Sequence, residues 1–357
     1  MASASPVDTL PIDVWHHIFK FAYTDGGFIG ATLSRISRSF RAVSAPYRFH
    51  SVRLSKIKGI EKFLAAYEAA LADAAASSTD PPRVRHLLFT FLPGEVDMII
   101  LEGSFHMRDW HSWQMAKIDW NTRFVARVTR LFELVASHLE TFAVLQCPEV
   151  VLPFVRCPQF PALRELTLLH EDALFVYTPK KAYSWMEPKD ADFCGSGTPP
   201  TYEELAASPL FPALERLHLA RGYWGPTLPL WDAVAPRLTH LRISGADVLA
   251  GLPLWDALSG KPQAFSDLVA LVVQPKLKGA ETGVDETQAE PLEAVVERLR
   301  QVETECPSLD AILVPAVIAS PDVDGLWDWT EWLIKEWTAR AVGERGPWVT
   351  KESEKQL

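Results

Sequence analysis

The chain has 357 residues, and its composition limits the kind of protein that it can be. Hydrophobic residues make up 48% and charged residues 22%, which is typical of a soluble globular protein. The formal net charge of −10 argues against binding to nucleic acid, because most of the chain would repel phosphate. Since every long apolar run is interrupted by a charge or a proline, the sequence predicts no membrane span.

The N-terminal segment and the cysteines predict the cellular compartment. Residues 1–10 lack a basic region followed by an apolar stretch, so we expect no secretory signal peptide. The four cysteines, at positions 147, 157, 194 and 306, show no Cys-x-x-Cys spacing. We expect them to stay reduced, with no disulfide and no zinc site, in a cytoplasmic or nuclear protein.

Two short amphipathic helices are predicted between Leu10 and Pro46. The first spans about Pro11 to Ala22, since Pro11 and Asp13 both suit a first helical turn. Its apolar residues recur at helical spacing, and they are Val14, Trp15, Ile18, Phe19 and Ala22. The second helix carries a stripe at Leu33, Ile36, Phe40 and Val43. Two short helices with wide stripes seldom complete a core, so we expect this pair to dock on another polypeptide.

The order of residues in this stretch follows a known pattern. It begins with Leu10-Pro11, continues with Asp13 and Ile18-Phe19, and ends in a Leu-x-x-aliphatic-Ser-basic-x-aromatic run from Leu33 to Phe40. The pattern resembles the F-box of many fungal proteins, with a longer loop between the helices and with Phe40 where many members carry Trp. The resemblance implies that the module binds the Skp-type adaptor of an SCF ubiquitin ligase, and a cullin through that adaptor. The adaptor-binding residues that it implies are Leu10, Pro11, Val14, Ile18, Phe19, Leu33, Ile36 and Phe40.

Charge is distributed unevenly along the chain. Residues 1–58 hold eight Lys and Arg against three Asp and Glu, a net charge of +5, which leaves −15 on the remainder. Residues 34–58 contain seven basic side chains and no acidic one. Such a run favours an acidic protein as the partner of this region.

A short phrase, Leu-x-x-Leu-x-Leu or a relaxed form of it, recurs through the rest of the chain. The clearest copies begin at Leu163, Leu214 and Leu238, and looser copies begin at Val84, Leu139, Leu268 and Leu309. Successive copies are 55, 24, 51, 24, 30 and 41 residues apart, whereas leucine-rich repeats recur about every 20–29 residues. Helical stripes lie between copies, at 124–135 and 292–302. Many F-box proteins carry such repeats after the box, so the resemblance and the periodicity agree.

These patterns predict an α/β fold. A helical F-box at residues 1–50 is expected to precede an irregular leucine-rich-repeat-like solenoid at 51–342, with an insertion at about 171–208 and an acidic loop at about 279–290. Residues 343–357 are expected to form a polar tail. The last helix places Leu326, Trp329, Leu333 and Trp337 on one face, and we expect it to cap the open end of the solenoid. Its charged residues, expected on the outer side, are Glu331, Lys335, Glu336 and Arg340.

The sequence offers no catalytic or metal-binding motif. It contains neither of the glycine-rich motifs that bind nucleotides, and His106, Asp109 and His111 lack a further ligand at a recognised spacing. Cys194 to Gly197 is the segment nearest to a nucleophile elbow, but it lacks the Gly-x-Ser-x-Gly order. We therefore expect a protein that is not an enzyme and that needs no cofactor or metal.

A second binding surface is predicted on the strands. Alternate side chains of neighbouring repeats line up on the side expected to be exposed, and the candidate target-binding residues are Glu165, Thr167, Arg216, His218, His240 and Arg242. The row suits an acidic or phosphorylated protein, and the alternative is a solvated face without a ligand. The sequence thus predicts a substrate-recognition subunit of an SCF ubiquitin ligase. A repeat scaffold acting outside ubiquitination is the second hypothesis, and a hydrolase that uses the insertion is the third.

Overall fold

The computed structural model describes residues 10–22, 32, 35–37, 41, 43–91, 110–146, 152–153, 155–170, 174–175, 201–220, 228–246, 265–275, 292–305, 309–313, 326–344 and 348. The helices are α1 (Ile12–Ala22), α2 (Ile57–Ser77), α3 (Trp110–Val135), α4 (Tyr202–Ala207), α5 (Leu228–Val234), α6 (Leu292–Glu305) and α7 (Leu326–Ala341). The strands are β1 (Ser51–Leu54), β2 (His86–Phe91), β3 (Thr141–Gln146), β4 (Glu165–Leu169), β5 (Arg216–Ala220), β6 (His240–Ala246), β7 (Ala270–Pro275) and β8 (Asp310–Leu313).

The architecture is mixed α/β and is built on one eight-stranded, all-parallel sheet. The strands follow one another across the sheet in chain order, from β1 to β8. Since β1 and β8 each pair on one side, the sheet is open and does not close into a barrel. The predicted α/β class is confirmed, and each of the seven Leu-rich phrases runs into one of the strands β2 to β8.

A repeated turn leads into several of the strands. In Phe160-Pro161-Ala162-Leu163 the amide of Leu163 donates to the carbonyl of Phe160 at 3.2 Å, and the amide of Leu214 donates to Phe211 at the same distance. Proline fits the second position of such a turn, because its fixed backbone angle matches the one required there. The Phe-Pro-Ala phrases therefore mark turns that direct the chain back into the sheet.

One face of the sheet packs against helices and forms the main core. Every second residue of each strand points to this face, and one continuous row is Val52, Leu87, Phe142, Leu166, Leu217, Leu241, Leu271 and Ala311. Phe132 of α3 packs against Phe89 and Phe142, and Trp231 of α5 stacks on Phe211. Arg123 and Arg130 of α3 pair with Glu61 and Glu68, which holds α2 beside α3.

The C-terminal helix forms, but its predicted position at the end of the fold is wrong. Glu336 of α7 pairs with Arg242 of β6, and Arg340 pairs with Glu165 of β4. The helix therefore crosses the middle strands on the face opposite the main core. Glu336 and Arg340, predicted on the outer side, lie with Leu333 and Trp337 on the inner side, because the sheet offers them partners of opposite charge.

Other predicted segments are described in part. Helix α1 begins at Ile12 and ends at Ala22, close to the predicted bounds. Within the predicted insertion, Thr201 and Glu204 form a capping box that begins α4. The acidic loop at 279–290 lies outside the described residues, as do most of the second N-terminal helix and most of the tail.

Candidate functional site

Helix α1 presents a row of exposed apolar side chains. Leu10, Val14 and Ile18 are spaced by four residues and are 39%, 40% and 41% exposed. Residues four apart lie above one another on a helix, so Val14 and Ile18 share one side of α1, while Leu10 lies two residues before the helix begins at Ile12. Pro11 is also exposed, at the start of this helix. We call Leu10, Val14 and Ile18 the α1 stripe.

A second row on α1 faces inward. Phe19 is buried at 2% exposure and its ring stacks on that of Trp15 at 5.5 Å. The helix thus divides its apolar residues between its own fold and the surface. Ile36 is 60% exposed, whereas the predicted adaptor-binding residues Leu33 and Phe40 lie outside the described residues.

The six predicted target-binding residues come together as two rows on the sheet. Glu165, Arg216 and His240 are paired in register on β4, β5 and β6. Thr167, His218 and Arg242 form the next row on the same side. The alignment expected from the sequence is therefore confirmed, and we call these six residues the polar face.

The expectation that this side of the sheet is exposed is wrong for most of the polar face. His218 is 0% exposed, Thr167 is 1% and Arg242 is 2%. Glu165 is also buried, while Arg216 and His240 are half-buried. The cause is the C-terminal segment, which lies over this side and shields it from water.

The central contact between α7 and the polar face is ionic. Arg242 donates from Nη1 to Oε1 of Glu336 at 3.3 Å, from Nη2 to Gln274 at 3.2 Å and from Nε to Ser244 at 3.2 Å. The indole of Trp332, one turn before Glu336, lies 4.9 Å from the Arg242 guanidinium. An arginine between a carboxylate and an aromatic ring gains both ionic and cation–π attraction.

A second ionic contact lies one helical turn further along α7. Arg340 pairs with Glu165 through Nη1 and Oε1 at 2.6 Å, and its Nη2 donates to Thr167 at 3.1 Å. The indole Nε1 of Trp348, beyond the end of α7, donates to the same Glu165 oxygen at 3.0 Å. The C-terminal segment therefore binds the polar face at three successive strands.

Burial is the largest cause of the pKa shifts of His218 and Glu336 in this contact. Burial lowers the pKa of His218 well below its ordinary value of 6.5, and the charges of Arg242 and Arg340 lower it further. Burial also raises the pKa of Glu336, although Arg242 and Arg340 act in the opposite direction. The hydroxyl of Ser244, which accepts from Arg242, lies 2.9 Å from Nε2 of His218. The Ser244 hydroxyl can therefore donate a hydrogen bond to Nε2 of a neutral His218.

The contact leaves several buried polar atoms without a hydrogen-bond partner in the described structure. They are Nδ1 of His218, Oε2 of Glu336, Nε1 of Trp337 and Nε of Arg340. The His218 and Glu336 atoms are 3.8 Å apart, too far for a hydrogen bond.

A cleft of about 530 Å³ remains open beside the end of α7. It lies at the amino ends of the first five strands, and its charged lining residues are Arg85, Glu140, Arg164, Glu165, Glu215, Arg216 and Arg340. Arg85 and Glu140 pair at 2.9 Å, and Glu165 is paired with Arg340. Because the two signs largely balance, the cleft does not select strongly for one charge.

The described structure bears on only part of the cofactor and catalytic predictions. Within it, His, Cys, Asp and Glu do not group in threes that could hold a metal ion. None of the helices that the structure describes is long and apolar enough to cross a bilayer. Cys157 is free, and burial raises the pKa of its thiol, which disfavours the reactive thiolate. The segments at 106–109 and 194–197 lie outside the described residues.

Sequence reasoning missed four residues of the site, Trp332, Glu336, Arg340 and Trp348. The first three were recognisable from spacing, since they recur every four residues beside Leu333 and Trp337 and thus share the buried side of α7. Charged residues on an apolar helical side usually have charged partners, because an unpaired buried charge is costly. Trp348 carries no such signal.

No protein-family model matches this chain, and no curated protein matches it.

Proposed function

We propose that this chain is the substrate-recognition subunit of an SCF ubiquitin ligase. In this proposal the N-terminal module binds the Skp-type adaptor, and through it a cullin. The eight-stranded domain, a leucine-rich-repeat-like solenoid, binds the protein that is to be ubiquitinated. The chain itself carries out no reaction.

The observation that carries the proposal is the α1 stripe. Three large apolar side chains at the positions of the F-box pattern are about 40% exposed, although the same helix buries Phe19. A contiguous exposed apolar row on a helix is a common feature of protein interfaces. The seven basic residues of 34–58 favour an acidic protein as the partner.

The sheet supports the second half of the proposal. Strands that follow one another in chain order, with helices α2, α3 and α5 packed on one face, are the arrangement that stacked strand-and-helix repeats produce. The opposite face carries the polar face, and α7 covers its middle strands in this structure.

The test is a pull-down of purified Skp-type adaptor by the full chain. The double variant Val14→Asp, Ile18→Asp places two charges in the α1 stripe. We expect it to lose at least about tenfold in affinity, since one hot-spot residue contributes about 2 kcal/mol and about 1.4 kcal/mol corresponds to tenfold. Met115→Asp is the matched control, because Met115 is an exposed apolar residue on α3. Equal binding by both variants, or no binding by the unaltered chain, would contradict the proposal.

A repeat scaffold outside ubiquitination is the second candidate. The burial of Phe19 favours it, since part of the N-terminal module is covered by its own chain. A scaffold would be soluble and stable when expressed alone, whereas an adaptor-bound receptor would gain solubility and yield on co-expression with the adaptor.

A further inference from the structure

The C-terminal segment contacts most of the polar face. Its side chains contact Glu165, Thr167, His218, His240 and Arg242, five of the six residues of that face. The contacts come from three residues of α7 spaced by four, and from Trp348. The face is therefore a site for a helix, and the chain supplies its own occupant.

The spacing of the two partners explains this fit. Residues four apart on a helix are separated by about 6 Å, and neighbouring strands by about 4.8 Å, so a helix that crosses the strands obliquely places one contact on each. Glu336 meets His218 and Arg242 on β5 and β6, and Arg340 meets Glu165 on β4. The pattern aromatic-x-x-x-acidic-x-x-x-Arg is what α7 presents to this surface.

The ionic part of this contact opposes its opening only weakly. Buried ion pairs add little net stability because both charges must leave water, although Leu333 and Trp337 of α7 are also buried. The strand ladder does not depend on α7, which follows the last strand and pairs with none.

We propose that α7 is an exchangeable internal ligand of the polar face. A target binds by inserting an amphipathic helix that carries an aromatic residue followed four positions later by an acidic residue, and it displaces α7. This inference rests on the proposed function, in which this domain receives the target. The Trp332 ring and the Glu336 carboxylate of α7 define the chemistry that the target helix must reproduce.

The test uses a fluorescein-labelled synthetic peptide of residues 326–348 and fluorescence anisotropy. The full chain receives a specific protease site between Ala319 and Ser320 and is cut after folding. We expect the cut chain to bind the peptide at least about a hundredfold more tightly than the intact chain, in which the tethered helix competes at millimolar effective concentration. A Glu336→Lys peptide should bind at least about tenfold more weakly. The Glu331→Lys peptide is the matched control, because Glu331 is exposed and, among the described residues, pairs with Lys335 on its own helix.

A second arm keeps the chain intact and covers the case in which cutting unfolds it. Glu336→Lys in the full chain should raise its affinity for the unaltered peptide at least about tenfold, and Glu331→Lys should not change it. Failure of the peptide to bind both the cut chain and the Glu336→Lys chain overturns the proposal, and so does equal binding of the two charge-reversed peptides. Neither arm contains the adaptor. A lost adaptor interaction with retained peptide binding would therefore refute the ligase role alone.

Discussion

The pair formed by Arg242 and Glu336 allows a quantitative test of how α7 is held. Arg242→Met keeps most of the side-chain volume but removes all three hydrogen bonds to Ser244, Gln274 and Glu336. The Glu336 side chain is 11% exposed, so its carboxylate is left largely buried without its partner. Breaking one side of such a pair costs about 3–5 kcal/mol. We expect a loss of about 3 kcal/mol in the free energy of unfolding at pH 7, since the pKa of Glu336 is already raised by burial and protonation relieves part of the cost.

The double variant Arg242→Met, Glu336→Leu should behave differently. Replacing both members of a buried ion pair with apolar residues is often neutral, so we expect its stability to lie within about 1 kcal/mol of the unaltered chain. The coupling between the two positions should therefore exceed about 2 kcal/mol. Urea unfolding followed by tryptophan emission measures the unaltered chain, the single variants Arg242→Met and Glu336→Leu, and the double variant, since Trp329, Trp332 and Trp337 all lie on α7. If the helix leaves before the sheet unfolds, the emission changes in two steps.

If the effects of the two single variants on the free energy of unfolding simply add in the double variant, this reasoning is refuted. Single variants that each cost less than about 0.5 kcal/mol would show that the charges are hydrated and that the contact is not buried in solution. The control pair is Arg85 and Glu140, whose side chains are 38% and 41% exposed.

Three further outcomes follow from the structure. The unfolded chain takes up a proton at His218 near pH 6.5 while the folded chain, with its lowered pKa, does not, so stability should fall by up to about 1.4 kcal/mol for each pH unit below 6.5. The difference between the unaltered chain and His218→Gln in urea unfolding from pH 7.5 to 5.5 isolates this contribution. Phe132→Ala removes a ring packed among Phe89, Phe142 and Phe160 and should cost about 3–5 kcal/mol, measured by chemical unfolding at pH 7. Glu140→Ala should change the same free energy by less than about 1 kcal/mol, because its ion pair with Arg85 is exposed.

The strands were predictable because their apolar residues alternate with a period of two. Leu166 and Leu168, or Leu217 and Leu219, point to one face whichever sheet they join, so the phrase alone specifies a strand with one buried side. The Phe-Pro-Ala turns were predictable for a similar reason, since the conformation of proline is local. Helix α1 and its bounds likewise followed from spacing and from Pro11.

The cover over the polar face was not predictable from such local patterns. Its main contacts join residues far apart in the chain, such as Thr167 with Arg340, which are 173 positions apart. Hydrophobic periodicity places Leu333 and Trp337 on a buried side, but it does not say which surface they meet. The position of α7 depends on pairing between its charges and those of the sheet. The spacing of Glu336 and Arg340 shows that they share one side of α7, but it does not show which strands they meet.

The order in which the chain is synthesised gives the cover a further consequence. Trp348 is made 183 residues after Glu165, and Glu336 is made 94 residues after Arg242. At a translation rate of about 5–20 residues per second, the middle strands wait roughly 5–40 seconds for the segment that shields them. During that interval a nascent chain on the ribosome exposes the arginine, histidine and glutamate side chains of the polar face. Any other molecule that binds them then competes with the chain's own last helix.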